Sequence, residues 1–192
     1  MRLIVGISGA SGVIYGIRLL EALREIPDVE SHLVMSNGAK LNISLETDRK
    51  VKDVEDLADV VHSDQNLAAT IASGSYRTDG MIIAPCSMKT LSAVVNSFAE
   101  RLLARAADVV LKEQRRLVLV PRETPLHVGH CRLLYEAAQM GSMIVPPMPA
   151  FYNDPQSVDD IINHTVGRLL DLFDIDSGMV KRWQGAASRE SQ

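Results

Sequence analysis

Two short stretches hold glycine, serine and threonine at spacings that suit anion binding. In the first, Gly6, Ser8, Gly9, Ser11 and Gly12 fall within seven positions. In the second, Cys86-Ser87-Met88-Lys89-Thr90 supplies two hydroxyls and a cation. Glycine lets a backbone come close to a ligand, and hydroxyls donate to oxyanions. Each stretch has a simpler reading too. The first suits a tight turn with no ligand, and the second suits ordinary capping of a helix by Ser87 and Thr90. Counted from Gly6, the first runs G-x-x-G-x-x-G and so departs from the dinucleotide fingerprint. Ser36-Asn37 stand where a dinucleotide fold carries an acid for the ribose. A serine there suits a phosphate or a flavin edge.

Charged and aromatic residues extend the set. Arg105 and Lys112 share one face of a helix about two turns apart, where they could clamp a phosphate or stand as solvated charges. Arg122-Glu123 place a cation and an acid side by side in a proline-bounded loop, and Arg168 lies inside the last long helix. Glu46 closes a helix that can reach the rim of the first loop, although spacing alone favours a solvated helix end. Phe151-Tyr152 follow the stiff run Pro146-Pro147-Met148-Pro149, a candidate pocket wall in which the polar tip of Tyr152 needs a partner. Trp183, alone in a polar tail, must bury in its own domain or in a neighbouring subunit. His127 and His130 make half a metal site with no third ligand in view, so no metal is expected. His32 lies inside a strand and reads as structural.

These residues need elements to position them. Apolar runs at Leu3–Val5, Val29–Met35, Met81–Ala84, Leu117–Val120 and Ser142–Val145 read as five strands. Helical spacing over Val13–Arg24, Asn37–Leu45, a segment from Cys86, Arg101–Gln114, His127–Met140 and Ser157–Phe173 separates or follows them. Lys50–Asp64 reads as a charged excursion at the sheet edge. Alternation of this kind predicts an α/β fold, an open parallel sheet with helices on both faces and a ligand at the carboxyl ends of its strands. Every motif above follows such a strand end.

The 192 residues fit one domain, expected over 1–185 with a disordered tail at 186–192. A net charge of −4 argues against a nucleic-acid partner. No apolar run is long enough to span a membrane, and the N-terminus enters a strand without a signal-peptide pattern. Two cysteines outside any CxxC motif suggest reduced thiols and a cytoplasmic protein.

Taken together, GISGASG (6–12), LETD (45–48), ASGSYRTDGM (72–81), PCSMKTL (85–91), RAADVVLKE (105–113), LVLVPRETPL (117–126), PPMPAFY (146–152) and RWQG (182–185) resemble the UbiX-type flavin prenyltransferases. The resemblance implies a flavodoxin-like or Rossmann-like three-layer fold assembled as a homododecamer, with the active site shared between subunits. It implies transfer of the dimethylallyl group of dimethylallyl monophosphate to N5 and C6 of reduced FMN, without a metal. The product, prenylated FMN, would serve a UbiD-type decarboxylase. By the same resemblance Gly9, Ala10, Ser11, Ser36, Ser87, Met88, Lys89, Thr90 and Arg122 contact FMN. Tyr152, Arg168, Lys112, Arg105, Arg122 and Glu123 surround the prenyl phosphate. Ser11, Glu46, Glu123 and Trp183 take the catalytic positions. Two other readings stay open: a flavin-dependent cysteine decarboxylase, and a non-catalytic FMN-binding subunit of an aromatic acid decarboxylase.

Overall fold

The structure is a computed structural model that describes residues 1–183 and residue 185; the tail expected at 186–192 lies outside the described residues. The chain divides into two compact units, Met1–Pro147 and Met148–Gln192.

The first unit is built on six strands: β1 (Arg2–Ile7), β2 (Glu30–Met35), β3 (Val60–Ser63), β4 (Gly80–Cys86), β5 (Arg116–Pro121) and β6 (Met143–Ile144). All pair in parallel, in the order β3-β2-β1-β4-β5-β6. This is the doubly wound arrangement, whose chain reverses direction across the sheet between β1 and β4. Five strands were expected and six are present. The additional one, β3, lies in the segment read as an excursion. Its four residues are alternately half-buried and exposed, so an edge position carries little apolar signal. The last expected strand shrinks to two residues in β6.

Helices α1 (Val13–Arg24), α2 (Asn37–Glu46), α3 (Val51–Glu55), α4 (Met88–Val95), α5 (Leu102–Lys112) and α6 (Val128–Gln139) connect the strands. Side chains alternate across a strand, so each core strand feeds two apolar layers. Ile4, Met81, Ile83, Leu117 and Leu119 enter one layer with Leu91 and Val94 of α4 and Leu102, Ala106 and Val110 of α5. Helix α1 lies directly on the sheet at Gly16, where a Cβ would come 2.3 Å from the Ala84 carbonyl oxygen and 2.8 Å from the Ile7 side chain.

The second unit holds α7 (Val158–Asp171), which starts with a reciprocal cap. Ser157 Oγ accepts the Asp160 N–H at 3.1 Å, and the Asp160 carboxylate accepts the Ser157 N–H at 2.9 Å. Met179 and Val180 fold back onto this helix, where a Cβ at Gly167 would lie 2.5 Å from the Val180 side chain.

Candidate active site

Four strand ends converge on one cavity. Gly9 follows β1, Ser36 to Gly38 follow β2, Asp64 follows β3, and Ser87, Lys89 and Thr90 follow β4. Together with residues of the α4–α5 region they line a cavity of about 410 Å³ at the reversal point of the sheet. A Cβ on Gly9 would stand 2.9 Å from the Gly38 Cα, and one on Gly38 would stand 2.9 Å from the Gly9 Cα. Two backbones therefore touch here, and only glycines permit it.

Each helix start around the cavity is finished in its own way. Ser36 Oγ accepts the Ala39 N–H at 3.1 Å, capping α2. Ser87 Oγ accepts the Thr90 N–H at 3.2 Å and donates to Thr90 Oγ1 at 3.1 Å, capping α4. These caps leave first-turn N–H groups with no carbonyl of their own helix to bond, which favours an anion. The starts of α1 and α5 are instead occupied by carboxylates of the chain. Glu46 Oε2 accepts the N–H groups of Gly12 at 2.8 Å and Val13 at 3.2 Å. Asp64 Oδ1 accepts the Leu103 N–H at 2.9 Å. An anionic ligand is thus steered away from α1 and α5 and toward Ser36, Ser87 and the Lys89 ammonium.

The glycine-rich loop accordingly differs from its sequence reading. Its N–H groups at Gly12 and Val13 serve Glu46. Gly12 makes the turn at φ 95°, in the left-handed region that glycine favours. Ser8 is fully buried, donates to the Pro85 carbonyl at 2.9 Å and accepts the Ser87 N–H at 2.7 Å, bolting the two loops together. Ala10 is buried and Ser11 exposed on the same loop.

The structure brings Gly9, Ser36, Ser87, Lys89 and Thr90 together. Met88 does not join them; it packs on the apolar layer behind α4. Arg122 is exposed just after β5, its N–H held by the Cys86 carbonyl at 3.2 Å, and neighbouring Glu123 accepts the Thr124 N–H at 3.0 Å. Arg105 and Lys112 do not line the cavity and do not form a clamp. Arg105 pairs with Asp108 at 2.8 Å and donates to the Ala72 carbonyl at 3.2 Å, while Lys112 pairs with Glu113. Asp108 lies three residues along the helix from Arg105, and Glu113 follows Lys112 directly where α5 ends, so each cation is held locally.

Tyr152, Arg168 and Trp183 belong to the second unit. Arg168 pairs with Asp171 at 2.5 Å, and Arg182 reaches the same carboxylate at 3.0 Å. Arg182 and then Arg168 hold the Asp171 carboxyl below its ordinary value. Tyr152 meets Trp183 edge to face, with ring centroids 5.6 Å apart.

Sequence reasoning missed Asn37, Gly38, Asp64, Phe98 and Arg101 as cavity residues. Asn37-Gly38 adjoin Ser36 at a strand end and were findable by that position. Asp64 was hidden with β3, Phe98 lies in a connection with no periodic signal, and Arg101 opens a segment whose pattern signalled only an amphipathic helix. Of the two histidines spaced as half a metal site, His127 caps α6 by accepting the Gly129 N–H at 3.0 Å, and its ring lies tilted by 31° against that of His130 with centroids 3.6 Å apart. Among the described residues no three His, Cys, Asp or Glu side chains are grouped to hold a metal.

The cradle fits a flavin mononucleotide: a phosphate suits the serine-capped helix starts, and the Gly9–Gly38 contact leaves that wall without side chains. A doubly wound sheet with this cradle at its reversal point defines the class, a flavin-binding α/β protein. Residues 1–170 match the Flavoprotein family. The chain is 59% identical over 187 residues to the flavin prenyltransferase UbiX of Escherichia coli K12, covering 96% of this chain and 99% of that protein. A crystal structure of a dodecameric FMN-dependent UbiX-like decarboxylase from Escherichia coli O157:H7 superposes with a TM-score of 0.95 at 56% identity, covering 96% of this chain and 100% of that one. The crystal structure of AnUbiX (PadA1) in complex with FMN and dimethylallyl pyrophosphate superposes with a TM-score of 0.94 at 51% identity, covering 96% and 97%. The chain belongs to the Flavoprotein family and, within it, to the UbiX flavin prenyltransferases.

Proposed function

We infer that this protein joins the dimethylallyl group of a dimethylallyl phosphate ester to N5 and C6 of reduced FMN, making prenylated FMN. The observation that carries this reading is the serine-capped, glycine-lined cradle in a chain 59% identical to a flavin prenyltransferase. Ser36, Ser87, Lys89 and Thr90 hold FMN together with the Gly9–Ala10–Ser11 loop and Arg122, while Met88 supports them from the core. Bound reduced flavin supplies the electron-rich N5 and C6 that the allyl group meets.

The prenyl ester has a poor leaving group, and bond breaking leaves charge on its phosphate. Arg168 and Arg122 offset that charge with forked donors, and Tyr152 adds a hydroxyl. Arg105 and Lys112, engaged within their own chain by Asp108 and Glu113, reach a phosphate only by exchanging those partners, for instance at a site shared between copies. Trp183 offers a π face to the allyl cation. Glu123 takes a proton released at N5 or C6, with Ser11 and Glu46 in the relay.

Self-assembly, as a dodecamer like the 56%-identical relative, is supported by apolar side chains left outside: on α6, Val128 is 86% and Tyr135 64% exposed. Two free cysteines suit the cytoplasm. Among the described residues no helix is long and apolar enough to cross a membrane. The product would pass to a UbiD-type decarboxylase acting on aromatic or α,β-unsaturated acids, so this protein makes a cofactor and decarboxylates nothing itself.

Anaerobic incubation of the purified protein with reduced FMN and dimethylallyl monophosphate should give a flavin heavier by one C5 unit in mass spectrometry. A parallel reaction with dimethylallyl pyrophosphate, the ester in the AnUbiX complex, shows which leaving group is used. Flavin that stays bound and unmodified with both esters would overturn the enzyme reading in favour of a binding subunit.

A further inference from the structure

Tyr152 is half of a side-chain pair whose other half neither the sequence reading nor the comparisons single out. On α7, His164 is only 7% exposed, yet both ring nitrogens have partners on the short turn at Phe151–Asn153. Its Nε2 lies 3.4 Å from the Tyr152 hydroxyl, and its Nδ1 lies 3.0 Å from Asn153 Nδ2. The Tyr152 and His164 rings meet edge to face at 5.8 Å, interplanar angle 83°, and Trp183 closes on Tyr152 with the same angle at 5.6 Å.

The hydrogen-bonding order follows from group chemistry. With the Asn153 amide turned so that its nitrogen faces the ring, that nitrogen donates and His164 Nδ1 accepts. The neutral ring then carries its hydrogen on Nε2 and donates it to the phenol oxygen of Tyr152. An oxygen that accepts from His164 turns its own hydrogen away from the ring, in the sense needed to donate to a phosphate oxygen. We propose that His164, oriented by Asn153, is a positioning residue that fixes the rotamer and hydrogen direction of Tyr152 for the prenyl phosphate. The proposal rests on the reading of Tyr152 as a phosphate contact.

The surroundings keep the ring neutral. Burial, and then the Arg168 guanidinium, push the His164 pKa below its ordinary value, opposed by Asp171. A doubly protonated ring would set an N–H against the Asn153 N–H. Asn153 is itself anchored, with its carbonyl accepting from Lys181 Nζ at 3.5 Å. The arrangement explains why an imidazole is buried in a helix that carries Arg168 one turn further on.

The test measures the KM for dimethylallyl monophosphate, or for the pyrophosphate if that is the ester used, together with FMN retention and thermal melting. H164F keeps an aromatic ring and loses the donor. It should raise the KM about tenfold, the order expected for one lost hydrogen bond, with FMN retained. H164Q, whose amide can donate to the phenol, should restore the KM to within about twofold of wild type. In a Y152F background, H164F should add nothing, because the hydroxyl it acts through is gone. N153A provides the second route if H164F fails to fold, and it should raise the KM in the same direction. A KM unchanged in H164F while Y152F raises it, or an H164F penalty equal in both backgrounds, would overturn the positioning role alone. A KM unchanged in Y152F would overturn the phosphate-contact reading and the role with it.

Discussion

Glu46 holds a helix start in the structure, and the proposed mechanism asks the same side chain to take part in proton transfer. Its Oε2 closes the α1 start through Gly12 and Val13, which pins the loop carrying Ser11. Those bonds engage one carboxylate oxygen and leave the charge and the second oxygen for proton transfer. The two roles separate by substitution. E46Q keeps an oxygen for the two N–H groups, so melting temperature and FMN retention should stay at wild-type levels. Without a titratable group, prenylation should slow ~100-fold, the scale of a lost acid–base step. E46A removes the cap as well and should cost about 1 kcal/mol of stability, seen as a lower urea midpoint. Wild-type turnover in E46Q would leave Glu46 a cap and nothing more.

The elements that hold such residues depend on close approaches that no spacing rule reveals. Gly16 reads as one small position in an amphipathic helix, yet it is where α1 rests on β1 and β4. A methyl group there would enter the Ala84 carbonyl at 2.3 Å. That carbonyl is backbone and β4 is a central strand, so α1 would have to lift, taking Gly12 away from Glu46. G16A should lose about 1–3 kcal/mol in denaturant unfolding, the usual cost of overpacking, and should weaken FMN retention, checked by flavin fluorescence on gel filtration. The cradle itself was legible wherever a hydroxyl or glycine stood directly after a strongly apolar strand, as Gly9, Ser36 and Ser87 do. Met88 turns its side chain to the apolar layer because packing decides which helix face points inward, and Asp64 was lost because a four-residue edge strand shows almost no pattern. Arg105 and Lys112 had a legible face but not legible partners. Asp108 and Glu113 were there to be read, but exposed cations choose among local carboxylates by geometry. Family membership came instead from several ordered motifs at once, a signal that depends on no single contact.

At the scale of the whole molecule, the edge of the sheet away from β6 carries a titration unconnected with the cradle. His32 on β2 is 1% exposed, with Nδ1 2.8 Å from His62 Nε2 on β3 and Nε2 3.0 Å from Glu30 Oε1. Arg2 pairs with that Glu30 at 2.9 Å and stacks over Tyr76, whose hydroxyl lies 3.3 Å from His32. Burial pushes both histidines below their ordinary pKa, with Glu30 partly opposing the shift at His32. Neutral rings satisfy the chain: His62 Nε2–H donates to His32 Nδ1, and His32 Nε2–H donates to Glu30. The unfolded chain titrates its histidines near the ordinary imidazole value of 6.5. Between that value and the lower folded ones the unfolded state binds more protons, so stability rises with pH. The contribution is fully present above the unfolded pKa and is lost as pH falls through the folded values. Urea midpoints taken from pH 7.5 down to pH 5, at one protein concentration because subunit association also adds stability, should therefore decline. H62Q replaces one of the two titrating rings with an amide that can still donate to His32, and it should flatten the decline below the unfolded pKa. An H62Q curve parallel to wild type would place the acid sensitivity elsewhere, among the carboxylates that hold helix starts and ion pairs, and would leave the His32–His62 contact as packing alone.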